Sequence, residues 1–400
     1  MQVGNFQFSY CSNIHPGESW EETFENLKSY IPRIRENLQC KGAFGIGLRL
    51  SNQASLELEK EDQLAAFKSW LTQENAYVFT LNGFPYGDFH HTRVKDQVHF
   101  PDWTTDDRKN YTIRSFHILA QLLPDGMSGG ISTSPISYRH WFKTQEEKNQ
   151  GMQAATANLM EVVAELAKIH SETGKFLHLD IEPEPDGILE NSDEMIWLFD
   201  SWLIPKGAPL LSEKLGISLS EAEKLIRKHI QVCYDVCHFA IVYEHPANTF
   251  AKFTKAGIKI GKIQISAALK LDLGKNRSEI HQKLLPFAES TYLHQVVGRK
   301  ADGNLVSYSD LPEALNAIQD AEEKEWRIHF HVPLFVESYG QFFSTQSSIL
   351  NVLAELKNHP ELTEHLEVET YTWEVLPDEM RLELGESISR ELEWILQRLG

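Results

Sequence analysis

The sequence predicts an α/β chain folded as a (β/α)8 TIM barrel. Short apolar runs alternate with long amphipathic stretches over almost the whole chain, the pattern of repeated βαβ units in a parallel sheet. The chain has 400 residues, a length that such barrels reach as one domain. Polar side chains gather where the strand candidates end, the face on which parallel barrels carry their working residues.

Nine segments read as strands: 5–13, 43–50, 76–82, 128–136, 176–182, 231–237, 260–268, 327–335 and 366–373. Amphipathic helical patterns cover 21–38, 57–73, 108–122, 146–170, 219–230, 345–358 and 378–398. Met380, Leu382, Ile388, Leu392, Ile395 and Leu396 form the apolar face of the last one. A barrel needs eight strands, because strand number, tilt and shear are linked on closure. One candidate is therefore surplus, and either 327–335 or 366–373 is the eighth. The segment 270–326 is longer than a crossover requires and holds a hairpin pattern, Tyr292–Val297 and Leu305–Tyr308 around Ala301-Asp302-Gly303-Asn304. It reads as an insertion on a single domain spanning 1–400.

Asp and Glu outnumber Lys and Arg by 57 to 38, a formal charge of −19. Such a surface repels phosphate backbones, and no basic cluster offsets it, which argues against a nucleic-acid substrate. No apolar run is long enough to span a bilayer, and Met1–Phe8 lacks the pattern of a signal peptide. Cys11, Cys40, Cys233 and Cys237 form neither paired C-x-x-C spacing nor a disulfide framework. A cytoplasmic protein is expected.

At the strand ends, Glu182 closes the fifth candidate where Pro183 and Pro185 stop pairing, so its carboxylate points into the barrel mouth. Glu184 and Asp186, beyond it, read as solvated loop acids. Asp235 and His238 stand three apart where the sixth strand gives way to its loop, a donor pair suited to Mn²⁺, Zn²⁺, Fe²⁺ or Co²⁺. His329 and His331 share one face of their strand and could chelate, or could equally be hydrogen-bonded core histidines. Glu367 and Glu369 likewise share a face, costly unless paired, protonated or metal-bound. Glu374, of opposite parity, is the reserve. His15, Asn82 and Tyr86 are candidate pocket walls, in a mouth rich in aromatics (Phe84, Phe89, Trp103, Trp141 and Trp373).

Glu at strand five, Asp-x-x-His at strand six, a polar residue at strand seven and Glu-Thr at strand eight resemble the xylose-isomerase-like superfamily. That group includes sugar epimerases, hydroxypyruvate isomerase and the endonuclease IV type of repair enzyme. The resemblance implies a divalent cation, Mn, Zn, Fe, Co or Mg, held by Glu182, Asp235, a strand-seven residue and Glu369, with His238 on substrate. At strand seven, where the epimerases place a metal-binding His, stands Gln264, a poor ligand through its neutral amide oxygen, so either His331 or His329 completes the ligand set or the site binds metal weakly. Lys270 follows where some epimerases keep an Arg for substrate oxygens. Longer phrases, Asn13-Ile-His-Pro-Gly-Glu-Ser-Trp20, Asn82-Gly-Phe-Pro-Tyr-Gly87, Tyr234-Asp-Val-Cys-His238 and Val368-Glu-Thr-Tyr-Thr-Trp373, are similar to the EboE group over nearly the full chain. Those proteins are named for metabolite traffic, and their operon also encodes a prenyltransferase-like membrane protein, which implies association with a membrane partner.

Two functions follow as expectations. One is a sugar or sugar-phosphate isomerase or epimerase acting on a small hydroxycarbonyl metabolite, with Glu182 and Glu369 taking and returning the proton and the cation acting as Lewis acid. The other is a non-catalytic metabolite carrier that keeps the barrel. An endonuclease IV-like nuclease fits worse. Its zinc cluster needs histidines after strands two and three, and only Arg49, Ser51 and Asn52 follow strand two, although His90 and His91 follow strand three.

Overall fold

Eight parallel strands close into a barrel in the computed structural model, which describes residues 1–87, 94–274, 276–370 and 383–400. In chain order they are Phe6–Tyr10, Phe44–Arg49, Ala76–Asn82, Ser128–Thr133, Phe176–Ile181, Ile230–Asp235, Ile260–Ile265 and His365–Val368. We call them barrel strands 1 to 8. Strand 8 pairs with both strand 7 and strand 1. The seam between strands 1 and 2 is closed largely by serines. Ser9 donates to the Gly45 carbonyl at 2.8 Å and accepts from the Gly47 amide at 2.9 Å, and Ser12 accepts from the Arg49 amide at 2.8 Å.

The outward faces of the strands are apolar and fully covered by helices, as at Ile46, Leu179, Ile181, Val232, Ile263 and Leu366. The inward faces are polar. Asp180 accepts from His178 at 2.6 Å, Lys262 donates to Glu367 at 2.6 Å, and Cys233 bonds Gln264. Two glycines make room for this filling. A Cβ at Gly47 would collide with Glu367 Oε1, and one at Gly261 with Asp180 Oδ1.

Helix starts follow local sequence. Ser19 with Glu22, Thr144 with Glu147 and Ser218 with Glu221 form capping boxes. Gly174, at φ 72°, ends the helix Gln145–Thr173 just before strand 5. The expected helix 57–73 is two helices, Asn52–Leu58 and Glu61–Gln73, because Lys60 is extended (φ −64°, ψ 132°). Between strands 5 and 6 the chain is also helical over Ser192–Leu198 and Ala208–Leu215. Pro205, Gly207 and Pro209 punctuate that segment, which breaks the continuous helical period that marks the other helices in the sequence. The last helix runs Leu384–Leu399; Met380 and Leu382 lie outside the described residues, as do Phe89, His90, His91, Trp373 and Glu374.

The surplus strand candidate belongs to a second sheet. Six strands, Ala268–Asp272, Val296–Arg299, Leu305–Tyr308, Glu325–His331, Ser338–Tyr339 and Phe342–Ser344, pair antiparallel outside the barrel. The elaboration therefore reaches from Ala268 to Ser344, wider than the expected 270–326. The segment expected at 327–335 lies inside it, as Glu325–His331, and the eighth barrel strand is His365–Val368, at the start of the candidate 366–373, whose residues 371–373 lie outside the described residues. A hairpin forms around Asp302-Gly303, with Leu305–Tyr308 as expected but with Val296–Arg299 as its first strand in place of the expected Tyr292–Val297. A register shift between Ile328 and His331 interrupts the pairing with Ala268–Asp272. Past it, His331 reaches the barrel mouth, where its Nδ1 bonds the Glu369 carbonyl at 3.0 Å. Among the described residues no helix is long and apolar enough to cross a membrane.

Candidate metal centre at the barrel mouth

Alternation along barrel strands 5, 6 and 8 carries Glu182, Asp235 and Glu369 inward at the C-terminal end. One ligand atom from each lies within 4.8 Å of the other two. Asp235, His238 and His331 form a second such group, Glu184, His238 and His329 a third, and Cys237, His329 and His331 a fourth. All of these side chains are buried. Beside them is a cavity of about 50 Å³, lined in part by Asn13, Asn82, Phe84, Glu182, His238 and Glu369.

Each acid is held differently. Glu369 Oε1 accepts from Asn13 at 2.6 Å and from Asn82 at 3.1 Å, and Oε2 accepts from Gln264. Asp235 Oδ1 accepts from Ser266 at 2.7 Å and from the His238 amide at 3.1 Å. Glu182 Oε1 lies 3.7 Å from His238 Nδ1. Glu182 Oε2, Glu184 Oε2 and Asp235 Oδ2 are buried with no hydrogen-bond partner among the described residues. Lys262, the ammonium nearest in charge to Glu182, is committed to Glu367 and Ser132.

The electrostatics follow from this crowding. Burial, then the charges of Asp235 and Glu184, push Glu182 well above the carboxylate range. Burial, then Glu182 and Asp235, do the same to Glu369. Burial also works against ionised Asp235, but His238, His331 and the Ser266 hydroxyl outweigh it and hold the acid below its ordinary value. Burial with Asp235 and Asp186 raises Glu184 to about 8. Burial lowers His331 to about 4. These groups cannot all be charged without a counter-charge.

The donor set fits a divalent cation. Unpartnered carboxylate oxygens converge with imidazoles, and His331 donates Nδ1–H to a backbone carbonyl, which turns Nε2 toward the acids. Such outer bonds fix the tautomer that a ligating histidine needs. Glu182, Asp235, His331 and Glu369 would hold the ion.

Several expectations are corrected. Gln264 does not offer its oxygen to this centre. The Glu369 carboxylate demands the amide NH2 at one end, so the carbonyl end faces the Cys233 thiol. Glu184 and Asp186 are buried rather than solvated, at 6% and 7% exposure. Asp186 has φ 64° and binds His140 at 3.0 Å. Lys270 stays on the second sheet, 3.7 Å from Glu325, and does not join the cluster. His15 bonds the Tyr10 hydroxyl at 2.9 Å and stacks on Tyr30, so it packs behind strand 1 rather than lining the cavity. Tyr86 packs edge-on against Tyr111 and does not line the cavity beside the acids. Asn82 does line the cavity.

Sequence reasoning passed over Asn13, His99 and the site role of Glu184. Strand alternation reaches neither Asn13, in the one-turn helix Ser12–Ile14, nor Glu184, beyond the end of strand 5. His99, fully buried 3.6 Å from Glu184, lies in an aperiodic segment that offers no such signal.

No family model matches the chain, and no curated protein matches it. Solved structures similar to it include a xylose isomerase-like TIM barrel protein from Mycobacterium smegmatis in complex with magnesium, at 13% identity, 98% coverage of both chains and a TM-score of 0.48. A D-allulose 3-epimerase from Methylomonas sp. in complex with D-allulose matches at 11% identity, covering 98% of this chain and 97% of its own, with a TM-score of 0.48. The IOLI protein with a bound zinc atom matches at 10% identity, 98% coverage of both chains and a TM-score of 0.46. At these scores the likeness carries no argument about chemistry, and the barrel assignment rests on the strand pairing described above.

Proposed function

We propose that the chain is a metal-dependent isomerase or epimerase acting on a small hydroxycarbonyl metabolite, a sugar or sugar phosphate. The observation that carries this reading is the convergence of Glu182, Asp235 and Glu369, buried at the C-terminal mouth with ligand atoms within 4.8 Å of one another. A divalent cation held by Glu182, Asp235, His331 and Glu369 would supply Lewis-acid polarisation of adjacent substrate oxygens. The two glutamates differ in the way proton transfer needs. Glu369 is fixed by three amides, whereas Glu182 keeps an unpartnered oxygen and is the better placed to take a proton from substrate. Asn82, on the cavity wall, would orient substrate oxygens, whereas the expected substrate role of His238 is not kept, since its Nδ1 is held by the Pro183 carbonyl and its Nε2 faces His329.

A second reading, a non-catalytic carrier serving a membrane partner, as the likeness to the EboE group implies, is favoured by Gln264. Its amide is occupied by Glu369 and Cys233, so strand 7 contributes no ligand. A cytoplasmic location accords with either reading. A nuclease is disfavoured by the charge of −19.

Exchange of a substrate C–H proton with solvent deuterium tests the proposal across sugars, sugar phosphates and hydroxy-keto acids. Glu182→Gln or Glu369→Gln should slow that exchange by about 10²–10⁴-fold without unfolding the protein. Exchange that persists in the double variant would overturn the mechanism. No exchange with any compound, together with ligand binding that survives both changes, would favour the carrier.

A further inference from the structure

His238 and His329 face each other through Nε2, 3.1 Å apart, with ring planes at 84°. Their opposite nitrogens fix what lies between them. His238 Nδ1 is 3.0 Å from the Pro183 carbonyl, which can only accept, so that nitrogen carries the proton. His329 Nδ1 is 2.8 Å from Gln295 Oε1. The amide nitrogen of Gln295 is committed to the Pro185 carbonyl at 2.9 Å, so its oxygen must be the end that meets His329. That ring too is protonated at Nδ1. A neutral imidazole has one N–H, so both Nε2 atoms present lone pairs to each other.

Two lone pairs at that distance repel unless a proton or a cation lies between them. A proton would make one of two buried rings an imidazolium, at the cost that burying a charge carries. The cation alternative has a third donor at hand. A carboxylate oxygen of Glu184 lies within 4.8 Å of a ring nitrogen of each histidine, and Glu184 Oε2 is buried without a hydrogen-bond partner among the described residues. With metal–nitrogen bonds of about 2.0–2.1 Å, a 3.1 Å separation subtends roughly 100° at the ion, between the octahedral and tetrahedral angles.

Charge points the same way. Glu182, Glu184, Asp235 and Glu369 are four buried carboxyl groups in one cluster. One divalent ion balances two of them, and two ions balance all four.

We propose that Glu184, His238 and His329 form a second cation site beside the one held by Glu182, Asp235, His331 and Glu369. Two imidazoles and one carboxylate select a borderline transition ion such as Zn²⁺ or Co²⁺ over Mg²⁺. The inference rests on the preceding reading for its neighbour only, since the two sites share no ligand.

The test is Zn²⁺ stoichiometry on the full chain, stripped with chelator, titrated by calorimetry and checked by elemental analysis after gel filtration. The wild type should bind two ions. Glu184→Gln, which keeps shape, and His329→Gln should each bind one, while Cys237→Ser, close to the same histidines, should keep two. Circular dichroism identifies any variant that fails to fold, and the isosteric Glu184→Gln then carries the test. One ion in the wild type, retained by both Glu184→Gln and His329→Gln, would overturn the second site and leave the first standing. One ion lost in His329→Gln but kept in Glu369→Gln would support the second site and overturn the first. No bound ion would overturn both.

Discussion

Asn13 donates its amide to Glu369 Oε1 at 2.6 Å, tying the end of barrel strand 1 to the end of strand 8 across 356 positions of sequence. Asn82 and Gln264 add two more bonds to the same carboxylate. A carboxylate held by amides from three separate segments cannot swing away from a shared ligand. Asn13→Ala should therefore weaken Zn²⁺ or Mn²⁺ binding about 10-fold, the lower end of what removal of such supporting groups costs. Calorimetry at matched pH measures it, and unchanged affinity would remove Asn13 from the site.

Lys262 and Glu367 form an ion pair at 2.6 Å, both fully enclosed in the barrel. Burial opposes the charge on Lys262, but Glu367 holds its pKa above the ordinary lysine value. Lys262→Met leaves the acid buried without its cation and should cost about 3–5 kcal/mol. Lys262→Met combined with Glu367→Leu should recover more than half of that. Urea unfolding midpoints decide the matter, and a single-variant loss below about 1 kcal/mol would contradict a buried pair.

Acid stability should carry a signature of Glu289. Burial works against its charge, yet His294 at 2.7 Å and the amides of Tyr292 and Thr291 hold its carboxyl down at about 2. The folded value lies below the unfolded one, near 4.5. Its stabilisation is therefore fully present above about pH 4.5 and is lost as pH falls toward 2. Glu289→Gln should flatten the stability curve in that window and leave its shape at neutral pH unchanged. Denaturant titrations from pH 2 to 7 measure it, and a variant as acid-sensitive as the parent would refute the assignment.

We propose that residues 1–400 fold as one domain. One hydrophobic cluster runs from barrel residues such as Ile263 and Ile265 into Leu269, Val296, Trp326 and Phe330 of the second sheet. Circular dichroism and tryptophan fluorescence should then report a single coincident transition in denaturant. Limited proteolysis that yields two separately folded halves would refute this.

The sequence by itself determined the barrel, and parity determined much of its mouth. In a strand, side chains alternate, so Asp180 implies Glu182, and Glu367 implies Glu369, without any knowledge of what faces them. The eighth strand could not be chosen that way, because Glu325–His331 and His365–Val368 have the same local pattern. Only pairing partners distinguish them, the former meeting Ala268–Asp272 and Val296–Arg299, the latter meeting strands 7 and 1. The same limit applies at Gln264, whose side chain reads as a weak ligand until Glu369 and Cys233 are seen at its two ends. Glu184 follows a proline in a turn, where solvation is the ordinary expectation. His329, arriving from a sheet inserted 145 positions later, is what encloses it, 3.6 Å away. Which polar groups lose water is a property of packing between distant segments, so the tertiary structure alone decided which acids and imidazoles meet.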